Sequence, residues 1–159
     1  MMGQEIERKF LVDGDAWRSL AQGTRYRQGY LSTVKERTVR VRTIAEKGYL
    51  TIKGVSKGIA RAEFEYEIPV DDANALLDGL CERPLIEKDR YKIPFGGLTW
   101  EVDEFFGDNA GLIVAEVELE SADQAVDTPP WIGLEVSADP RYFNASLIAN
   151  PYRNWGGKK

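Results

Sequence analysis

Histidine is absent from all 159 residues, which removes the usual proton shuttle of neutral pH, the Ser-His-Asp triad and every histidine-containing zinc site. Cysteine occurs once, at Cys81, so no internal disulfide can form. Beside Leu76, Leu77 and Leu80 that thiol reads as a small buried apolar residue, not a nucleophile. No apolar run reaches membrane-spanning length, and the N-terminus carries acids where a leader peptide needs bases, so the expectation is a cytoplasmic protein without membrane contact. The net charge of −5 argues against general nucleic-acid binding. What the chain does have is charge, 30% of its residues, on a 43% hydrophobic background sufficient for one core in one domain. With no histidine and no cysteine cluster, any metal must be held by oxygen ligands, which points to Mg²⁺ or Mn²⁺.

The charges are sorted. Side chains alternate between the faces of a strand, so Glu5-Ile6-Glu7-Arg8-Lys9-Phe10 places Glu5, Glu7 and Lys9 on one face and Ile6, Phe10 and Val12 on the other. The pattern recurs in Arg40 and Arg42 against Val39 and Val41, and in Lys53 out of phase with Leu50 and Ile52. Glu63, Glu65 and Glu67 stand against Phe64 and Tyr66, and Lys88, Arg90 and Lys92 against Tyr91 and Ile93. It returns in Glu101 and Asp103 against Trp100 and Val102, and in Glu116 and Glu118 against Ala115 and Val117. Tyr26, Gln28 and Tyr30 share a face of a further strand. The chain reads as about eight strands, the third and fourth joined through Glu46-Lys47-Gly48 and the sixth and seventh through Gly96-Gly97. Short helices are expected at Ala16–Ala21, after an Asp71-Asp72 cap, and at Arg141–Ala149, with a brief helical turn over Ser121–Val126. The Gly54–Gly58 loop lacks the spacing of a phosphate loop and is set aside. Acids and bases fall largely on different strands. A sheet that merely solvated one face would not need that sorting, whereas a closed sheet could turn its charged faces inward around a hydrated lumen and its apolar faces outward under the helices.

These residues carry a resemblance. Glu5-Ile6-Glu7-Arg8-Lys9 matches the Glu-x-Glu-x-Lys signature of the CYTH superfamily, the triphosphate tunnel metalloenzymes. Arg40-x-Arg42, Lys53, the glutamate row, Lys88-x-Arg90, the Trp100-Glu101-Val102-Asp103 strand, Glu116-x-Glu118 and Arg141-Tyr142-x-Asn144 follow in that family's order. The resemblance implies an α+β fold built on an eight-stranded antiparallel tunnel. It would occupy residues 1–155, with a basic tail over 156–159. It also implies a triphosphate substrate and Mg²⁺ or Mn²⁺, closest to the small bacterial inorganic triphosphatases. Adenylyl cyclase and thiamine triphosphatase activities occur in the same superfamily, so fold alone does not choose the substrate. A module that binds polyphosphate or a nucleotide without turnover is the alternative from another class.

The chemistry agrees with that implication. A triphosphate carries about four negative charges at neutral pH and needs several cationic donors, which Lys9, Arg40, Arg42, Lys53, Lys88 and Arg90 would supply. Phosphoryl transfer asks a protein mainly for positioning and charge neutralisation. Lys88 or Arg90 is the candidate contact to the transferred group, with Glu7 the third candidate catalytic residue. Glu5, Glu7, Asp103, Glu116 and Glu118 are the candidate metal ligands. Glu63, Glu65 and Tyr30 are secondary candidates, the glutamates as ligands or as counter-charges to the arginines. Without a dedicated base-reading pocket, tripolyphosphate is expected to be cleaved to pyrophosphate and phosphate in preference to ATP. The expected partner is that small molecule alone, with a second copy of the chain in a homodimer the one assembly entertained.

Overall fold

The computed structural model of the chain describes residues 4–155, so the expected basic tail over 156–159 lies outside them. Strands β1 (Gln4–Val12), β2 (Gly23–Ser32), β3 (Thr38–Ile44), β4 (Lys47–Lys53) and β5 (Ala60–Ile68) precede helix α1 (Val70–Gly79). Strands β6 (Ile86–Phe95), β7 (Leu98–Phe105), β8 (Ile113–Glu118) and β9 (Ile132–Glu135) follow, then a single-turn helix α2 (Ser146–Ala149). The pairing order β5-β4-β3-β2-β6-β7-β8-β1 closes on itself through β1 and β5. The result is the expected eight-stranded antiparallel barrel. One wall is β5-β4-β3 and the other β6-β7-β8, with β1 and β2 as the seams between them.

Strand β1 makes closure possible by changing partners along one edge. Its start pairs with β5 from Gln4↔Ala62 to Ile6↔Ala60, while its other edge runs along β8 from Glu7↔Glu118 to Leu11↔Val114. Where β5 ends, β9 takes over beside Phe10 and Val12. This ninth strand was not expected. Its four residues, Ile-Gly-Leu-Glu, follow Pro129-Pro130 and are too few to show a period. The β3–β4 turn is also tighter than expected, lying at Ala45-Glu46, with Ala45 at φ 53. At the β6–β7 hairpin both Gly96 and Gly97 take left-handed φ values of 62 and 79, as a two-residue turn of this kind requires.

The helices are fewer and shorter than the periodicity suggested. Ala16–Ser19 is one 3₁₀ turn that lays Trp17 on the sheet. Arg141–Ala149 divides into a 3₁₀ turn, Pro140–Tyr142, and α2, because Phe143 is extended at φ −70, ψ 134. Ser121–Val126 retains a single turn bond, from Gln124 N–H to the Ser121 carbonyl. The N-cap of α1 is Pro69, and Asp71 and Asp72 sit in its first turn, where they favour the positive end of the helix dipole.

Two layers of packing hold the barrel from outside. Phe10, Trp17, Trp100, Val102, Ala115, Val117 and Trp131 form the larger core on the outer face of β1, β7 and β8. Helix α1 covers Val41 with Ala73 and Leu77. The outer face of β4–β5 has no such cover. Ile52, Phe64 and Tyr66 are 38%, 46% and 58% exposed, contrary to the expectation that helices cover every apolar face. Nor is the lumen charged throughout. Ile86, Phe105 and Val114 are in phase with Lys88, Asp103 and Glu116, and they meet Leu147 and Ile148 of α2 in an apolar plug at one end.

Gly48 marks where α1 seats on β4: a Cβ built there would stand 2.6 Å from the Cβ of Ala73 and 3.2 Å from the carbonyl oxygen of Ile68. Gly48→Ala should therefore destabilise the fold by about 1–3 kcal/mol, as overpacking does. Urea denaturation checks this, and an unchanged midpoint would show that α1 yields freely.

Candidate active site

Alternation along each strand dictates which charges meet, and register dictates how. In an antiparallel pair directly opposed residues share a face, so Glu7 and Lys9 of β1 stand beside Glu118 and Glu116 of β8. Arg40 and Arg42 of β3 flank Thr51 and Tyr49 of β4, which in turn flank Glu65 and Glu67 of β5. Across the barrel Arg90 lies beside Asp103, and Glu101 beside Glu116.

In the β5-β4-β3 wall Lys53 Nζ reaches Glu5 at 3.0 Å and Glu63 at 3.7 Å. Glu65 accepts from the Thr51 hydroxyl at 2.7 Å and from Arg42 at 3.2 Å, with Arg40 at 3.6 Å. In the opposite wall Asp103 takes Arg90 at 2.7 and 2.8 Å and Lys88 at 2.8 Å. Arg90 also reaches Glu101 at 3.0 Å and Glu116 at 3.6 Å, and Lys9 closes on Glu116 at 2.8 Å. On the β2 seam the Tyr26 ring sits 5.4 Å from Arg42, 5.0 Å from Arg90 and 5.8 Å from Lys88, so one aromatic ring meets cations from both walls.

The environments divide the acids into two kinds. Burial pushes the Glu116 and Asp103 carboxyls up, but Lys9 and Arg90 for the first and Arg90 and Lys88 for the second more than offset it, holding both below the usual range. Glu5 is likewise held down, Lys53 outweighing burial. Glu7 is pushed well up by burial and by the neighbouring Glu116 and Glu5. Glu63 is raised by burial and by Glu5, and Glu118 by burial and by Glu5, Glu63 and Glu101. Among the bases, burial pulls the Lys88 amine down to about 8 against the pull of Asp103.

This division bears on the expected metal ligands. Asp103 has both carboxylate oxygens engaged by Arg90 and Lys88, which argues against a ligand role and makes it the counter-ion of the deepest cations. Glu116 is similarly held between Lys9 and Arg90. Glu5, Glu7, Glu63 and Glu118 instead crowd one another, and hard carboxylate oxygens repelling at close quarters are the donor set a divalent cation suits. As the side chains stand, no three acids among the described residues are grouped closely enough to hold an ion, and Lys53 stands between Glu5 and Glu63. The chemistry of the donor set fits Mg²⁺ or Mn²⁺; the ion would have to displace Lys53 from Glu5.

Glu5, Glu7, Lys9, Tyr30, Arg40 and Lys53, all expected from sequence, line one cavity together with Phe143-Asn144-Ala145. Two further aromatic residues, Tyr49 and Phe105, are in phase with the charged rows, Tyr49 opposite Arg42 and Phe105 opposite Lys88. Sequence reasoning missed four polar residues here. Arg61 was visible through its phase with Glu63; it stands opposite Glu5 and donates to Thr38 Oγ1 at 3.3 Å. Thr51 and Gln28 are in phase with the charged rows but are uncharged. Ser137, which accepts the Lys9 backbone N–H at 2.9 Å, comes from a loop that no periodicity marks.

Set beside known proteins, the chain matches the CYTH domain family over residues 3–152. It is 58% identical over 154 residues to an inorganic triphosphatase of Acetivibrio thermocellus, covering 97% of this chain and 99% of that protein. It is 39% identical over 152 residues to an inorganic triphosphatase of Nitrosomonas europaea, covering 90% of this chain and 95% of that one. The solved structure of the inorganic triphosphatase NE1496 superposes with a TM-score of 0.66 at 34% identity, covering 90% of this chain and 96% of that one.

Two measurements separate the acids. Asp103→Asn should cost about 3–5 kcal/mol of stability without any metal present, because it leaves Lys88 and Arg90 buried without their counter-charge; a neutral result in urea denaturation would reopen the ligand role. Glu7, Glu63 and Glu118 have raised pKa values, so the stability they contribute at low pH is lost as pH rises through those values. A divalent cation that relieves this repulsion should therefore raise Tm more at about pH 8 than at about pH 5.5. Equal shifts at the two pH values would count against these acids as the binding group.

Proposed function

This chain belongs to the CYTH domain family, and we propose that it is a divalent-metal-dependent hydrolase that cleaves inorganic tripolyphosphate to pyrophosphate and phosphate. The observation that carries the reading is the lumen itself. Six cations, Lys9, Arg40, Arg42, Lys53, Lys88 and Arg90, face one interior from both walls, and carboxylates neutralise them within the same space. A short polyanion can exchange places with those carboxylates, because each phosphate oxygen accepts the hydrogen bonds that a glutamate accepted before.

Arg40 and Arg42 hold phosphate oxygens from β3, Lys9 from β1 and Lys53 from β4. Lys88 and Arg90, fixed by Asp103, face the group to be transferred. Glu5, Glu7, Glu63 and Glu118 are the residues that would hold the metal. Bound there, Mg²⁺ or Mn²⁺ supplies charge neutralisation at phosphate oxygens and lowers the pKa of a water enough to make it a nucleophile without histidine. Water adds to the terminal phosphorus and gives up a proton to solvent, the bridging P–O bond breaks, and pyrophosphate leaves with the bridging oxygen. The similarity to two proteins named inorganic triphosphatase supports the choice of substrate.

Phosphate release from tripolyphosphate, ATP and thiamine triphosphate, each with Mg²⁺ and with Mn²⁺, tests this directly. Tripolyphosphate should show the highest kcat/KM. Glu7→Gln should abolish metal-dependent turnover, and Arg42→Ala should raise KM by about 10- to 100-fold, the worth of a charge-assisted hydrogen bond. A kcat/KM for ATP at or above that for tripolyphosphate, or cyclic AMP as product, would replace the reading with a nucleotide-directed one.

A further inference from the structure

One polar side chain in the lumen is unaccounted for by the ion-pair network. Gln28 is 0% exposed, yet neither its amide nitrogen nor its amide oxygen has a hydrogen-bond partner among the described residues. Leaving a buried amide unpaired is costly, and native structures retain such groups where something else meets them. Its position narrows what that is. On β2 it stands in register with Arg42 on one side and Ile86 on the other, in phase with Tyr26 and Tyr30. Arg40 Nε and Arg42 Nε are also buried without partners, and Arg40 is opposite Tyr30, the next inward residue along β2. Three unpaired N–H groups thus lie on adjacent positions of two paired strands. The apolar plug, to which Ile86 belongs, forms the wall on the far side.

We propose that the Gln28 amide is a further substrate contact, donating a hydrogen bond from Nε2 to a phosphate oxygen held by the Arg40–Arg42 pair. This rests on the tripolyphosphate reading and deepens it. The residue type is suited to the place. Arg42 already faces Arg40, and its guanidinium is pulled down by burial and by that neighbour, so another cation here would add repulsion. A neutral amide adds a donor without adding charge. Its Oε1 can accept from a protonated phosphate oxygen or from a water beside it, which a guanidinium cannot do.

The test uses Gln28→Met, which keeps length and removes both polar atoms, and Gln28→Glu, which keeps shape and replaces the donor with an anion. Each is measured for turnover of tripolyphosphate and for the rise in Tm that tripolyphosphate causes with no divalent metal present. Gln28→Met should fold with an unchanged or higher Tm when free, raise KM about tenfold or more, and reduce the ligand-induced rise in Tm. Gln28→Glu should weaken binding further and keeps the question open to measurement if the methionine variant does not fold. Wild-type KM and wild-type thermal shift in the variants would overturn the proposal, whatever their free Tm does. The metal-free shift keeps the two readings apart: a wild-type protein that binds tripolyphosphate but does not hydrolyse it would sink the catalytic reading alone.

Discussion

Everything in this barrel depends on how its interior charges are neutralised. A buried cation without a counter-charge costs several kcal/mol, and here Lys88 is fully buried while Lys9, Arg40 and Arg90 are nearly so. Each of the four is held by a carboxylate from another strand, Lys88 and Arg90 by Asp103, Lys9 by Glu116 and Arg40 by Glu65. Replacing such pairs with apolar residues would often be neutral or stabilising. Retaining them keeps a set of cations ready in the interior, oriented by partners that a stronger polyanion can displace.

Closure and charge sorting require each other. An open sheet would leave the rows solvated and their pairings weak, whereas the barrel brings β3 to β5 face to face with β6 to β8 and lets the Tyr26 ring meet cations from both sides. The closing contact is short, three register pairs between β1 and β5. The handover of the same β1 edge to β9 and the packing of Trp131, Phe10 and Trp100 support it from outside. The strand that carries Glu5, Glu7 and Lys9 is thus also the strand that completes the barrel, so these two acids are fixed by the same pairings that shut the lumen.

The inward rows were legible because strand alternation has a period of two, and charge at every second position survives any uncertainty in strand ends. That is why the Glu5, Arg40, Lys53, Glu63, Lys88 and Glu116 rows could be placed on one face from sequence. Three things could not be read in the same way. Strand β9 is too short for a period to show. The plug of Ile86, Phe105, Val114, Leu147 and Ile148 depends on which end of each strand α2 reaches, a tertiary fact. The role of Asp103 depends on register: its spacing from Glu101 suits a ligand, and only its placement beside Arg90 shows both oxygens committed to cations. Gln28 was in view as a member of an inward face, but an uncharged residue gives no signal until its lack of partners is known.

The two kinds of acid give the lumen a polarity. Carboxylates held below their ordinary range, Asp103 and Glu116, face Lys88, Arg90 and Lys9; those pushed above it, Glu7, Glu63 and Glu118, are raised by burial and by neighbouring carboxylates. The first kind is already satisfied and gains nothing from a cation. The second is relieved by one, and metal affinity should therefore rise with pH as those groups give up their protons. An anion drawn to the cations and a metal drawn to the crowded acids would come to rest side by side. Lys53 lies at the boundary, bound to Glu5 and near Glu63. Lys53 would be freed for phosphate if Glu5 and Glu63 held a metal, and Glu5 and Glu63 would be freed for a metal if Lys53 were held by phosphate. Each ligand thereby removes a competitor for the other, so the two should bind with positive coupling through this one side chain.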